Sequence, residues 1–86
     1  MTKVVLIGAI WCSSCLIMRP RWEKYCHQHD IHLLELDVDE NQDIVTKYHP
    51  GAVLPVVIIF DDEQEICRYI GEKSSRELER IFREMP

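Results

Sequence analysis

Cys12 and Cys15 stand three positions apart in the stretch "AIWCSSCLIMRP", Ala9 to Pro20, behind a tryptophan and ahead of an apolar run. Two thiols at that spacing support thiol–disulfide exchange, metal ligation or plain apolar packing. Exchange runs through the thiolate, and a free thiol with a pKa of about 8.5 is only about 3% ionised at pH 7. On the order of 2 kcal/mol of selective thiolate stabilisation corrects that deficit. The start of a helix supplies it through unpaired N–H groups and the positive end of the dipole. Ser13 and Ser14 are candidate hydroxyl donors to the same anion. If a helix opens at or just after Cys12, the two Cβ atoms lie about 5–6 Å apart. A disulfide needs roughly 3.5–4.5 Å, so a small adjustment of the first turn makes or breaks the bond. Cys12 then suits the attacking role, and Cys15, deeper and beside Leu16, the resolving one.

Zinc is the rival reading, because Cys12, Cys15, Cys26 and His29 have C-x₂-C-x₁₀-C-x₂-H spacing. The residues between Cys15 and Cys26 follow a helical pattern, and eleven helical residues rise about 16 Å. Ligands of one zinc ion lie within roughly 4 Å of one another. A continuous helix and a zinc knuckle therefore exclude each other here. Cys26 and Cys67 read as small buried hydrophobes. His27, His29 and His32 fall near a helix end, where partial positive charge suits the dipole.

The elements that position the pair follow from periodicity. Val4 to Ile10 is an unbroken apolar run, the pattern of a strand covered on both faces. From Ser13 to about His29 the spacing is helical, with Leu16, Ile17, Trp22, Tyr25 and Cys26 forming a stripe and Pro20 predicting a kink. His32 to Val38 alternates as a strand, with Leu34, Leu36 and Val38 on one side. Asp39 to Asn41 offer caps for a short helix through Ile44, Val45 and Tyr48, which Pro50 and Gly51 end. Val53 to Phe60 is a second buried run, the polar turn "DDEQ" follows, and Glu65 to Ile70 closes an antiparallel hairpin. Ser74 and Glu77 form a capping-box pattern ahead of Leu78, Ile81, Phe82 and Met85, an amphipathic helix. The order βαβαββα predicts an α/β fold, a mixed four-stranded sheet covered by helices on both faces.

The combination resembles the thioredoxin-like family. Trp11-Cys12-Ser13-Ser14-Cys15 falls at a strand-to-helix junction, with Pro20 five residues after the second cysteine. Leu54-Pro55 precedes a buried strand as that family's cis-proline loop does, and Gly71 lies eleven residues past Phe60 as does the glycine of its last strand. The resemblance implies a thioredoxin fold without the usual N-terminal strand and helix, a cis Pro55 facing the dithiol, and thiol–disulfide oxidoreductase activity. It also implies that the backbone of Val53 and Leu54, near Gly71, pairs with an extended substrate. Two departures stand out. The middle dipeptide is Ser13-Ser14 where Gly-Pro is frequent, which bears on the reduction potential. The buried Asp often found six residues before the first cysteine is Leu6 here, and its Lys partner aligns with Glu35. The proton acceptor for Cys15 then falls to Glu35 or to water.

Composition sets the remaining bounds. A chain of 86 residues, 47% hydrophobic and 29% charged, is expected to fold as a single domain over residues 1–86. A net charge of −5 with scattered Lys and Arg excludes nucleic acid and anionic membrane surfaces as general partners. The N-terminal apolar run falls far short of the roughly 20 residues of a bilayer span. A cytoplasmic protein is expected, where thiols stay reduced and a Cys pair is chemical rather than structural. Trp11, with Ile10 and Leu54, forms an apolar rim suited to a partner protein. The expected function is a monomeric thiol–disulfide oxidoreductase acting on disulfide-containing proteins, with no metal or organic cofactor. Electrons are then restored by a reductase or by a low-molecular-weight thiol, and the resemblance suggests an NADPH-dependent disulfide reductase. The alternatives are a non-catalytic binding module of the same fold and, behind it, a zinc protein.

Overall fold

Val4 to Ile7 are buried on both sides, which makes β1 (Thr2–Gly8) an interior strand. The computed structural model describes residues 1–85, so Pro86, the end of the expected domain span, lies outside the described residues. After β1 come α1 (Ser13–Gln28), β2 (His32–Asp37), α2 (Gln42–Thr46), β3 (Val56–Asp61), β4 (Gln64–Ile70) and α3 (Ser75–Glu84). Among the described residues the strands form one sheet in the order β2-β1-β3-β4. β1 runs parallel to β2, from Lys3 opposite His32 to Gly8 opposite Asp37. β3 is antiparallel to both β1 and β4. The expected βαβαββα order and mixed sheet are those observed.

Strand alternation sorts the core into two layers. Val4, Leu6, Val57 and Ile59 meet Met18, Trp22, Tyr25 and Cys26 of α1 and Leu78, Ile81 and Phe82 of α3. Val5, Ile7, Val56 and Ile58 turn the other way, onto Leu36 and onto Val45 of α2. Phe82 is the centre of the aromatic packing in the first layer, with its ring centroid 5.6 Å from Trp22, 5.5 Å from Tyr25 and 5.2 Å from His29. The capping box at α3 is complete: the Ser74 hydroxyl accepts from Glu77 N–H, and the Glu77 carboxylate accepts from Ser74 N–H.

Several expectations need correction. Leu16 and Ile17 are 59% and 45% exposed, so the buried stripe of α1 is Cys15, Met18, Trp22, Tyr25 and Cys26. Leu16 and Ile17, between the buried Cys15 and Met18, project from the opposite side of the helix and so face solvent. The Val53–Phe60 run becomes a strand only at Val56. Pro55 has no N–H to give to a ladder, and the Leu54–Pro55 bond is cis. Asn41 does not cap α2 with its side chain; its Oδ1 instead accepts the Asp37 N–H at 2.9 Å. Asp37 Oδ1 in turn accepts from the N–H groups of Asp39 and Glu40, which folds this turn back onto the end of β2.

Candidate active site

The strand directions bring four chain segments to one end of the sheet. β1 and β2 finish there, β3 starts there after Pro55, and β4 finishes there at Ile70, just before Gly71. Between β1 and α1 sits the dithiol. Cys12 is the N-cap residue of α1, with extended φ and ψ of −93° and 113°. The Cys15 N–H donates to Cys12 Sγ at 3.3 Å, so the sulfur takes the place that a Ser or Asp oxygen holds at other helix starts. The Cys12 thiol donates in turn to the Leu54 carbonyl at 3.9 Å. One sulfur therefore touches both the helix dipole and the cis-proline loop.

The two thiols differ in access. Cys12 is half-buried and Cys15 fully buried, and neither is in a disulfide. Burial pushes the Cys15 thiol up to about 11, and the hydrogen bond and charge of Cys12 add to the rise. The Ala9 backbone and the Arg19 charge oppose it. Gly8 makes this burial possible. A Cβ there would stand 3.0 Å from Cys15 Sγ, inside van der Waals contact. Nothing in the cysteine motif marks Gly8; only its place as the last residue of β1 points to it.

Of the other expected residues, Leu54 touches Cys12, Pro55 and Gly71 join at the same end of the sheet, and Pro20 and Glu35 lie within α1 and β2. Pro55 is buried, and its carbonyl accepts the Gly71 N–H at 2.9 Å, which ties the end of β4 to the proline loop. Ile10, Trp11 and Val53 are exposed, Trp11 at 69%. Trp11 is held at its polar edge, where Nε1 donates to Asp39 at 2.8 Å, an anchor that sequence reasoning missed. Ser14 departs from expectation. Its hydroxyl donates to Glu72 Oε2 at 2.9 Å instead of turning to the thiolate. Pro20 lies within α1 at an exposed position. Glu35 pairs with Arg19 at 3.4 Å, and burial and a hydrogen bond with Glu23 raise its proton affinity against that pairing. Cys26 is buried in the core, and Cys67 sits half-buried near the Tyr69 hydroxyl at 3.7 Å. α1 runs unbroken from Ser13 to Gln28 between the two halves of the zinc-like spacing. Among the described residues no three His, Cys, Asp or Glu side chains converge as a ligand set.

A mixed α/β sheet with a thiol pair at a helix start, half of it open and half buried, is the arrangement of a thiol–disulfide oxidoreductase. The thioredoxin family profile matches residues 2–84. Thioredoxin of Staphylococcus epidermidis is 30% identical over 82 residues, covering 93% of this chain and 78% of that protein. The thioredoxin of Fasciola hepatica superposes with a TM-score of 0.83 at 26% identity, over 98% of this chain and 81% of that one. Thioredoxin-2 of the malaria parasite shares the fold with a TM-score of 0.87 at 23% identity, over 99% and 84% of the two chains. The chain belongs to the thioredoxin family. It is a thiol–disulfide oxidoreductase with a Cys-x-x-Cys dithiol, the type of enzyme that reduces disulfide-containing proteins.

Proposed function

We propose that Cys12 is the nucleophile and Cys15 the resolving thiol. Cys12 thiolate attacks one sulfur of a substrate disulfide, a Cys12–substrate bond forms, and the other substrate sulfur leaves as thiolate and takes a proton. Cys15 then loses its proton and attacks Cys12 Sγ. The Cys12–Cys15 bond forms, the second substrate thiolate leaves, and two electrons have passed to the substrate. The observation that carries this assignment is the difference in access at the N-cap: Cys12 Sγ stands at the start of α1, accepting the Cys15 N–H at 3.3 Å, and is half open to solvent while Cys15 is buried beneath it.

Pro55, buried and joined to Leu54 by a cis bond, sets the position of the Leu54 carbonyl that the Cys12 thiol meets at 3.9 Å. The backbone of Val53 has no hydrogen bond among the described residues, which leaves it open to an extended substrate strand. Ile10, Trp11, Val53, Leu54 and Gly71 form the apolar mouth around that strand. Ser13, Ser14 and Pro20 shape the first turns of α1 and so tune the dithiol. The proton of Cys15 goes to water, since the Glu35 carboxylate is engaged by Arg19 and Glu23. The protein acts as a monomeric single domain in the reducing cytoplasm, and an NADPH-dependent disulfide reductase restores the dithiol. No helix among the described residues is long and apolar enough to cross a membrane.

An insulin disulfide-reduction assay on wild type, Cys12→Ser and Cys15→Ser tests the roles. Loss of turnover is expected in both variants, with a covalent Cys12–substrate adduct accumulating in Cys15→Ser alone. Adducts on Cys15 rather than Cys12 would reverse the assignment. A wild type inert towards insulin and towards small disulfides would leave the binding-module reading in its place.

A further inference from the structure

We infer that Glu72 is a specificity-determining residue that selects disulfide segments carrying a basic side chain. This rests on the dithiol reading above and adds the kind of partner the mouth accepts. Glu72 directly follows Gly71, whose N–H is fixed to the Pro55 carbonyl at 2.9 Å. Its carboxylate accepts the Ser14 hydroxyl at 2.9 Å, within the first turn of α1. The charge therefore bridges the end of β4 and the cysteine motif, at the rim of the surface onto which a substrate strand must settle. Glu72 stays exposed, so a substrate side chain can reach it.

The cations near Glu72 have other partners, Arg21 donating from its guanidinium to the Lys73 carbonyl at 3.1 Å. Lys73, the next residue, sets its charge against Glu77 at the start of α3. Arg19 is paired with Glu35. On the opposite flank, after β2, the Asp39 carboxylate holds Trp11. Because β2 and β4 are the two edges of the sheet, the apolar mouth lies between one acidic group on each side. The chain as a whole carries −5, which adds to the attraction of a basic segment.

The test uses two peptide disulfides identical except for the residues on either side of the attacked cysteine, Arg in one and Glu in the other. At low salt, wild type reduces the Arg peptide with the higher kcat/KM. Glu72→Gln, which keeps an acceptor for Ser14, lowers the Arg-to-Glu ratio by about two- to fivefold, the range of one exposed charge pair. Glu72→Lys lowers it further. Both effects fade near 1 M salt, where the screening length is about 3 Å. An Arg-to-Glu ratio identical in wild type, Glu72→Gln and Glu72→Lys at low salt would overturn the inference while leaving the dithiol chemistry intact. A wild type that reduces neither peptide would instead sink the dithiol reading itself.

Discussion

If Cys15 resolves the mixed disulfide as proposed, that step is limited by how often the thiol sheds its proton, and its burial gives that frequency a scale. With the thiol pushed up to about 11, about one Cys15 in ten thousand is ionised at pH 7. Forming the mixed disulfide consumes the Cys12 thiol, and with it the hydrogen bond and charge that add to the rise. Burial, the largest cause, remains. The operative value in that intermediate therefore falls between the ordinary 9.0 and about 11. Because thiolate is the attacking species, the release rate should climb about tenfold per pH unit from neutrality and bend only within that range. Reduced protein mixed with an aromatic disulfide such as Ellman's reagent reports this directly. The first thionitrobenzoate marks attack by Cys12, and the second, independent of reagent concentration, marks displacement by Cys15. A Cys67→Ser background removes the other half-exposed thiol. A second phase that is flat between about pH 6 and 8 would refute the reasoning, because it requires a protein base at Cys15 that ionises below neutrality. If Glu35→Gln then abolished that flat phase, Glu35 would be the base and water would not.

Gly8→Ala forces a Cβ to within 3.0 Å of Cys15 Sγ in a packed layer, so a loss of about 1–3 kcal/mol in urea unfolding is expected, together with altered displacement kinetics; unchanged values in both would show that Cys15 yields freely. Burial raises Cys26 from 9.0 to about 12, so the unfolded chain loses this proton first. Stability present below about pH 9 then declines towards pH 12, by on the order of 4 kcal/mol for this group alone. Cys26→Ala should flatten that alkaline decline in denaturant titrations, and an equally steep decline would assign it to other groups. At the β3–β4 turn, Glu63 sits at a φ of 136°, which L residues rarely adopt. Glu63→Gly is expected to raise stability by about 1 kcal/mol, read as a higher urea midpoint at constant slope.

The parts of the molecule that obey a single period were legible in the sequence. Val4 to Ile7 and Val56 to Ile59 are continuous apolar runs because both faces of the sheet are covered. The capping box at Ser74 and Glu77 is local, and so could be read from residues three apart. Leu16 and Ile17 misled for the opposite reason. Their apolar side chains suggested burial, yet the stripe that meets the sheet runs through Cys15, Met18 and Trp22, and they fall on the other side of the helix. The anchors of the site were illegible in principle. Trp11 meets Asp39 across 28 residues, and Ser14 meets Glu72 across 58. Only the strand directions, which put the ends of β2 and β4 beside the start of α1, create those neighbours.

Leu6 and Glu35 connect stability to rate. Leu6 stands in the middle of β1, opposite Glu35 on β2, and packs into the same apolar layer as Met18 and Trp22. A carboxylate at position 6 would sit in that layer and carry a desolvation penalty of several kcal/mol, unless it kept its proton. With leucine there the penalty is absent, and the charges lie instead at the edge, where Arg19, Glu23 and Glu35 interact in partial solvent. The same exchange removes a buried base from the layer beneath the dithiol. A well-packed β1 and the lack of a carboxylate base at position 6 thus follow from the same leucine. Leu6→Asp should therefore change both together, speeding the second thionitrobenzoate phase near neutral pH while lowering the urea midpoint. Faster displacement with no loss of stability would break that link.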